Sequence, residues 1–304
     1  MFPLGYFIDK SVYLKRMLAF SEGRELYVFD NITLTSWVTN ELGWAYLLLF
    51  FSNLNFNHEW FLKSISFFIV FVNLFFVVTR INKFNVFILF IISLLFINPI
   101  FVDFSMSQIR SAFCLSIFLV FLMLYESNKK TISLFFLSVV PIIHTIGIVL
   151  ISFYFLYLLL KRFSLNMLQG QYFPVVLGLL FSLFMFVGWH YVLSYLGDRR
   201  AEYSDMSSSL KYMIFWVFLL FAFVLLKIKC VESYIFLGML LLSIAVFNTI
   251  FSLYSSRFIA LGFVFIIPIF FMIRKPMYFY TIVLAYMSFT LVQWFFWFEL
   301  QELI

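Results

Sequence analysis

The chain has few charged residues and no polar stretch long enough to form a water-soluble domain. Only 11% of its 304 residues are charged, whereas 65% are hydrophobic and 48 are phenylalanine. Apolar runs of about 18 to 20 residues follow one another from end to end, and each can cross a hydrocarbon core of about 30 Å. These runs lack the polar–apolar alternation of barrel strands. The sequence therefore predicts an all-α, polytopic integral membrane protein.

Other features that the sequence lacks exclude several kinds of site. The two cysteines are Cys114, inside an apolar run, and Cys230, beside a lysine-rich loop, so neither a disulfide nor a thiolate metal site is indicated. No Gly-rich phosphate loop and no DxD-type metal element occurs, and we predict neither a metal nor a cofactor. The net charge of +6 lies in short loops at helix ends, which is typical of membrane orientation and not of nucleic-acid binding.

No linker rich in Pro, Gly or Ser divides the chain, so we predict a single membrane domain over residues 1–304. Its N-terminal part, residues 1–59, is an outer-face or interfacial segment in which 42–56 form an interfacial or re-entrant helix. A helical bundle follows over 60–298. About ten transmembrane or re-entrant helices are predicted in total. The candidate segments of the bundle are 60–79, 84–100, 107–125, 131–141, 143–160, 172–196, 211–228, 234–252, 257–273 and 277–298.

The stretch 131–160 is too long for one crossing, because a single helix of this length would measure about 45 Å. Pro141 offers a break, since proline removes a helical hydrogen bond and crowds the preceding turn. We therefore predict that 131–141 is a short segment that reverses into a full helix over 143–160. With this reversal, five basic pairs fall on one side, which the positive-inside rule makes cytoplasmic. They are Arg80/Lys83, Lys129/Lys130, Lys161/Arg162, Lys227/Lys229 and Arg274/Lys275.

Two ionisable residues then lie at the outer face within apolar sequence. Arg110 opens one apolar helix, and His144 follows Pro141 in the next apolar stretch. An ionisable group at membrane depth is costly, and it usually faces a polar cavity, a partner or a substrate. Arg110 could instead be a cation that snorkels to the interface, and His144 a core residue that caps a broken helix. Their matching depth favours a shared functional role. The outer loop 197–211 and Arg257 lie on the same face.

Short motifs along the chain resemble those of one family. Gln108, Arg110 and Ala112 open one helix, and Pro141 and His144 lie on the next, in a pattern similar to R(Q)xxA…FHxSA; Thr145 and Gly147 stand where Ser and Ala are usual. Further matches are Asp9 and Tyr13 (D-x-x-x-Y), Glu41, Gly43 and Trp44 (E-x-G-aromatic), Arg199 or Arg200 with Tyr203, and Ser256 with Arg257. Together they resemble the Wzy/EpsG-like polysaccharide (O-antigen) polymerases, and the resemblance covers nearly the whole chain.

The resemblance implies a membrane glycosyltransferase at the outer, periplasmic face of the bacterial inner membrane. Such an enzyme moves a polyprenyl-diphosphate-linked glycan onto another lipid-linked repeat unit, as in O-antigen, capsule or exopolysaccharide synthesis, and polyprenyl diphosphate leaves. Implied partners are this lipid-linked glycan, membrane lipid, and a chain-length regulator and a flippase of the same pathway. Family members usually carry a membrane helix before the D-x-x-x-Y element. We therefore expect either such a helix ahead of Met1 or an N terminus held outside by another route.

The resemblance also assigns roles to the candidate residues. Arg110 and His144 are the predicted catalytic residues: an arginine fork suits a diphosphate, and a histidine can act as a base or orient the reacting groups. Arg257, at a helix start where a cation opposes the dipole, indicates a nearby anion, either phosphate or a carboxylate partner. The remaining candidates for substrate contacts each have an alternative as ordinary surface charge or a charge-balanced loop. They are Arg199, Arg200, Tyr203, Glu41 and Asp9.

Two other functions fit an outer-face site of this composition. A flippase or transporter of lipid-linked glycan would carry inverted repeats and broken helices near the midplane. An O-antigen ligase would share the one-sided architecture and differ in its acceptor. The single predicted break and the charges at one face favour one-sided chemistry.

The predicted topology can be tested by labelling introduced cysteines. A cysteine in the loop 197–211 should react with a membrane-impermeant thiol reagent added from outside, and a cysteine beside Lys129 should not, because basic loops face the cytoplasm. Labelling of both positions from the same side would contradict the reversal near Pro141.

Overall fold

A computed structural model of the protein describes residues 8–24, 42–54, 57–81, 85–163, 170, 172–195, 210–251, 253 and 255–302. The regular elements in these ranges are thirteen helices, and no strand occurs there. They are α1 (Ile8–Ser21), α2 (Leu42–Asn53), α3 (His58–Thr79), α4 (Val86–Phe96), α5 (Pro99–Met106), α6 (Ile109–Glu126), α7 (Lys130–Ile143), α8 (Ile146–Phe163), α9 (Tyr172–Tyr195), α10 (Leu210–Leu225), α11 (Ser233–Ile250), α12 (Ser256–Phe270) and α13 (Pro276–Glu302).

Several of these helices are suited to crossing a membrane. By length and composition, four described helices qualify: α3, α6, α11 and the Pro276–Phe296 part of α13; the bent pair α4 and α5 raises the number to five if it counts as one span. The fold within the described ranges is thus all-helical with apolar helices of membrane length, as predicted. The larger number of about ten segments stays a prediction.

One face of α3 is typical of a lipid-facing surface. Phe67, Phe71 and Phe75 recur every four residues, and their side chains are 72%, 57% and 50% exposed. Successive rings stack with centroids 6.4 and 6.1 Å apart. A water-soluble protein rarely exposes such a continuous apolar stripe. In a bilayer the same stripe contacts acyl chains.

The break predicted at Pro141 lies three residues later. Pro141 is inside α7, and the helix ends at His144, whose backbone is extended with φ −155° and ψ 140°. A Cβ placed on Gly147 would lie 2.7 Å from the carbonyl oxygen of Val140. Residues seven apart in a continuous helix are about 10 Å apart along the axis, so the chain turns sharply at His144 and Thr145. The side of the membrane to which each end points stays a prediction.

The segment predicted as one span over 84–100 is two helices. α4 ends at Phe96, α5 begins at Pro99, and their axes are bent by 72°. Proline is well placed in the first turn of a helix, where its missing N–H has no intrahelical partner. Asn98 caps the new helix, because its Oδ1 accepts a hydrogen bond from the backbone N–H of Ile100 at 3.0 Å. The Asn98–Pro99 pair therefore ends one helix and starts another.

The described chain packs into two compact units. Unit 1 comprises 1–76 and 102–152, and unit 2 comprises 77–101 and 153–304. In unit 1, α6 packs against α7, and α2 packs against both α1 and α7. In unit 2, α11 packs against α9, α10 and α12, while α13 contacts α4, α10 and α12. The prediction of one membrane domain over 1–304 stays a prediction.

α11 is the central helix of unit 2. Residues 233 to 246 are all buried, and two glycines let the backbones approach closely. A Cβ on Gly238 would lie 2.9 Å from the carbonyl oxygen of Phe265 on α12, and one on Gly178 of α9 would lie 2.5 Å from Ser243 Cβ. Small residues at such crossings are typical of helices that associate in membranes by close packing.

α13 satisfies the polar groups at the break between α4 and α5. Tyr286 Oη donates to the carbonyl oxygen of Leu95 at 2.8 Å, and Trp294 Nε1 donates to that of Ile97 at 2.7 Å. Asn98 Nδ2 donates to Thr290 Oγ1 at 3.0 Å and to Gln293 Oε1 at 2.9 Å. Irregular backbone at membrane depth requires such internal partners, because no water replaces them.

Both cysteines are buried within their units, Cys114 in α6 and Cys230 in the connection between α10 and α11. Burial raises the pKa of Cys230 to about 12. A thiol reacts as its thiolate, so Cys230 should not compete with an introduced cysteine for labelling reagents near neutral pH, and burial keeps the reagent from Cys114.

We expect Asn98→Leu to lower the apparent melting temperature of the purified protein in detergent. The substitution leaves Thr290 and Gln293 without this partner and removes the cap of α5, and each buried polar group left unsatisfied costs about 1–3 kcal/mol. Ser93→Ala is the control, because Ser93 is exposed and, among the described residues, its hydroxyl bonds only the carbonyl of Leu89 in its own helix. Equal melting temperatures for the two variants would contradict a stabilising role for the Asn98 network.

Candidate functional site

Arg110 lies in the first turn of α6 and is half-buried in unit 1. The connection before it is closed by Gln108, whose Nε2 donates to Asp103 Oδ2 at 3.1 Å, and by the N–H of Ser107, which donates to the carbonyl oxygen of Asp103 at 2.7 Å. These bonds fix where α6 begins. The start of the helix in turn fixes the position of the Arg110 side chain.

Tyr13 of α1 orients the guanidinium of Arg110. Arg110 Nε donates to Tyr13 Oη at 2.9 Å, and the guanidinium carbon lies 5.5 Å from the centre of the tyrosine ring. A hydrogen bond through Nε fixes the plane of the guanidinium, whose two terminal nitrogens form the fork that recognises phosphate or carboxylate. The contact joins residues 97 positions apart in the sequence.

Trp44 of α2 holds Tyr13 in place. The two rings meet edge to face, with centroids 5.5 Å apart, and Trp44 also contacts Phe113 of α6 at 6.0 Å. Tyr13 is 5% and Trp44 1% exposed, so neither ring can turn freely. Within the described ranges, Nε1 of Trp44 is buried without a hydrogen-bond partner. Buried indole N–H groups normally have an acceptor, so a polar group is expected at this corner.

The turn that carries His144 is joined to the same helices. A Cβ on Gly43 of α2 would lie 2.6 Å from the carbonyl oxygen of Ile142, so the two backbones are in contact. Cys114 Sγ, one turn after Arg110 on α6, lies 3.4 Å from the carbonyl oxygen of Val140 and 3.9 Å from that of His144. We call Tyr13, Trp44, Arg110 and His144 the unit 1 cluster.

The imidazole of His144 is held by the backbone of the next helix. Its Nδ1 accepts a hydrogen bond from the N–H of Ile146 at 3.2 Å, and Thr145 Oγ1 lies 3.3 Å from the same nitrogen. A backbone N–H can only donate, so Nδ1 must be the unprotonated nitrogen. The proton of neutral His144 is therefore on Nε2, and the ring presents a donor there.

Arg257 belongs to unit 2. It is exposed in the first turn of α12, whose cap residue Ser255 makes no side-chain capping bond and whose first turn contains no acidic residue. The expected unfavourable position of a cation at a helix start is thus observed. The prediction of a nearby phosphate stays a prediction.

The other predicted contacts cannot be placed in the cluster. Asp9 is part of α1, but its side chain lies outside the described residues. Four further candidates, Glu41, Arg199, Arg200 and Tyr203, lie outside the described residues altogether, and their roles stay predictions. Within the described ranges, no three His, Cys, Asp or Glu side chains come together to hold a metal ion.

Tyr13 and Trp44 were matched to motifs but were not predicted as site residues. A signal for Tyr13 exists in the sequence, because Tyr13, Met17 and Phe20 follow helical spacing and are the buried stripe of α1. For Trp44 the signal is weaker, because α2 also contains Tyr46, Phe50 and Phe51 and nothing in the sequence distinguishes the buried ring.

Comparison of the chain with protein-family models, with characterised proteins and with solved structures finds no match in any of the three.

We expect Gly43→Ala to destabilise the cluster. The new methyl group would lie 2.6 Å from the backbone oxygen of Ile142, and overpacking of this kind costs about 1–3 kcal/mol. Gly188→Ala in α9 is the matched control, because its nearest neighbour would be a ring carbon of Phe184 at 3.5 Å. Alanine also favours a helix over glycine by about 1 kcal/mol. Gly43→Ala should melt lower than the parent protein, and Gly188→Ala at the same temperature or higher.

Proposed function

We propose that the protein is a membrane glycosyltransferase that polymerises polyprenyl-diphosphate-linked oligosaccharide repeat units at the outer face of the bacterial inner membrane. The observation that supports this most directly is the contact between residues of separate motifs. Tyr13, Trp44 and Arg110 meet in unit 1, and the backbone before His144 packs on the same two helices, α2 and α6. A purely local role for each motif would not require them to meet.

In this proposal Arg110 binds the diphosphate of one lipid-linked substrate. Two parallel N–H···O bonds from a guanidinium suit a phosphate, and they strengthen as the leaving group gains negative charge. Tyr13 supplies the orientation, because its hydroxyl holds Nε. The binding edge is therefore set before the substrate arrives, and less ordering is needed on binding.

The reaction transfers a glycan between two lipid carriers. A hydroxyl oxygen of the acceptor repeat unit attacks the anomeric carbon of the donor glycan, and a new glycosidic bond forms. The bond from that carbon to the diphosphate oxygen breaks, and polyprenyl diphosphate leaves with the bonding electrons. The hydroxyl proton passes to a base, so charge and atoms balance.

We assign His144 the role of an orienting donor and not of the base. Its Nδ1 is engaged by the N–H of Ile146, and the neutral ring therefore offers Nε2–H to a sugar or phosphate oxygen. The base is then a carboxylate, for which Asp9 is our first candidate and Glu41 the second. Asp9 precedes Tyr13 by four residues in α1, about one helical turn.

The proposed topology places about ten transmembrane or re-entrant helices in the bacterial inner membrane, with the basic pairs inside. Two of these pairs lie directly at helix ends, one pair in each unit. Lys129 and Lys130 are at the start of α7, and Lys161 and Arg162 are in the last turn of α8. The apolar stripe on α3 supports lipid contact for that helix.

A lipid-linked glycan flippase is the second candidate, because the structure contains breaks that transporters often use. One break lies between α4 and α5, where hydrogen bonds of Asn98 reach α13. The turn at His144 interrupts a second apolar stretch. Loss of the protein distinguishes the two functions. Single repeat units at the outer leaflet indicate a polymerase, whereas units trapped inside indicate a flippase.

We expect Arg110→Lys to impair polymer formation severely, because lysine keeps the charge but loses the bidentate fork and the Nε bond to Tyr13. His144→Ala should be impaired by about 10²-fold or more, the range typical of loss of one positioned hydrogen-bond donor. The measurement is turnover of purified lipid-linked repeat units by the reconstituted protein, or polymer ladder length on a gel.

Lys130→Ala is the control for removal of a charge, since Lys130 is exposed and lies on the proposed cytoplasmic side. Lys130→Ala should form polymer at nearly the parental rate. All three variants must insert in the membrane to the same level. Full-length polymer at the parental rate from Arg110→Lys and His144→Ala would overturn the assigned site.

A further inference from the structure

An apolar groove in unit 2 opens where α10 ends and α13 begins. Its volume is about 940 Å³, within the ~300–1,000 Å³ typical of ligand sites. The last turns of α10 form one wall and the first turns of α13 the other, and the connections 226–229 and 271–275 close the end. We call this feature the basic groove, because four of its lining residues are cations: Lys227, Lys229, Arg274 and Lys275.

The part of the groove that α10 lines is apolar. Phe218, Phe221 and Leu225 follow helical spacing on α10, and their side chains are 48%, 60% and 63% exposed. Ile273 and Ile282 are buried behind them. Exposed aliphatic and aromatic groups at the surface of a membrane helix contact acyl chains, so this part of the groove suits a hydrocarbon tail.

The end of the groove is strongly positive. Four cations of the groove are exposed: Lys227, Lys229, Arg274 and Lys275. Among the residues that the structure describes, no acidic side chain lines the groove and no carboxylate forms an ion pair with these cations. α13 starts at Pro276, directly after Lys275, with no acidic residue in its first turn. The partial positive charge of a helix N terminus adds to the four side chains.

Lys227 has φ +52°, a left-handed conformation that glycine or asparagine adopts more easily. The bonds from Lys227 N to Val224 O and from Ile228 N to Phe223 O close the end of α10 as a Schellman motif. The corresponding position after α6 is Asn128, with φ +58°. Lysine is thus present in the groove although its side chain makes the backbone less favourable there.

We propose that the basic groove binds an anionic phospholipid of the membrane. The phosphate lies among Lys227, Lys229, Arg274 and Lys275, and an acyl chain follows Phe218, Phe221 and Leu225. Basic pockets between membrane helices recognise anionic head groups by this combination of charge and apolar wall. None of the residues that line the groove belongs to the unit 1 cluster, and this proposal does not depend on the glycosyltransferase proposal.

The test uses the full chain, purified in a neutral detergent, and native mass spectrometry with added lipid. Phosphatidylglycerol should bind in preference to phosphatidylcholine. The double variant Lys227→Gly/Arg274→Gln should bind phosphatidylglycerol about thirtyfold more weakly. Each of the two removed cations contributes about fivefold to the affinity for an anionic head group, and the two factors multiply. Glycine adopts the left-handed conformation more easily than lysine, so Lys227→Gly should retain the backbone conformation at the end of α10.

The matched control is Lys129→Gln/Lys130→Gln, which removes two charges from another basic pair. It should leave phosphatidylglycerol binding within about twofold of the parent protein, since neither residue lines the groove. Equal binding of the two lipids, or equal weakening in both double variants, would overturn the proposal. Displacement of the lipid by inorganic phosphate at equal concentration would show a phosphate site without lipid specificity. Much tighter binding of polyprenyl diphosphate would identify a different occupant.

Discussion

Main-chain hydrogen bonding at the helix breaks is the constraint on which both units depend. In hydrocarbon, a carbonyl or N–H that leaves the helix must find a partner inside the protein. At the break before Pro99, α13 supplies Tyr286 and Trp294 for two carbonyls, while Asn98 caps the helix that follows. At the other break, the imidazole of His144 accepts the N–H of Ile146. The backbone groups at the first break are thus satisfied mainly by side chains of a neighbouring helix. At the second break, a side chain of the turn itself accepts the backbone N–H.

The hydrogen bond between the N–H of Ile146 and the imidazole of His144 has a chemical consequence. Because Nδ1 of His144 is used for the backbone, the same bond that stabilises the turn also selects the tautomer. Structural and proposed functional roles of this residue therefore coincide. Arg110 shows the same coupling, since the hydrogen bond that fixes its side chain reaches Tyr13 on a helix distant in sequence. Trp44 and Phe113 then restrict Tyr13 by packing alone.

Most helices could be predicted from the sequence because apolar runs of membrane length are unambiguous. The predicted segments 60–79, 172–196 and 234–252 correspond to α3, α9 and α11 within a few residues. The missed features have local causes. α1 alternates charged and apolar residues, and its mean hydropathy gives no span signal. Asn98–Pro99 is a short signal inside a long apolar run. Proline at 141 weakens a helix without ending it, because the next turn is closed by the N–H of His144 bonding to Val140.

The candidate site was only partly predictable for a different reason. Arg110 and His144 stand out because they are ionisable within apolar sequence. Tyr13 and Trp44 have no such contrast. The resemblance places them in the same set of motifs as Arg110, but their contacts with each other and with Arg110 are given by the packing in three dimensions.

The burial of α11 has a consequence for how the protein is made. Residues 233 to 246 touch protein on all sides in the finished fold, so lipid does not require them to be apolar there. A helix enters the bilayer before its later neighbours have been synthesised, however, and at that moment the side of α11 that α12 will cover meets acyl chains. The apolar sequence of α11 is therefore needed for insertion. The close contact between Gly238 and Phe265 can form only afterwards, when α12 has been synthesised and replaces lipid on that side.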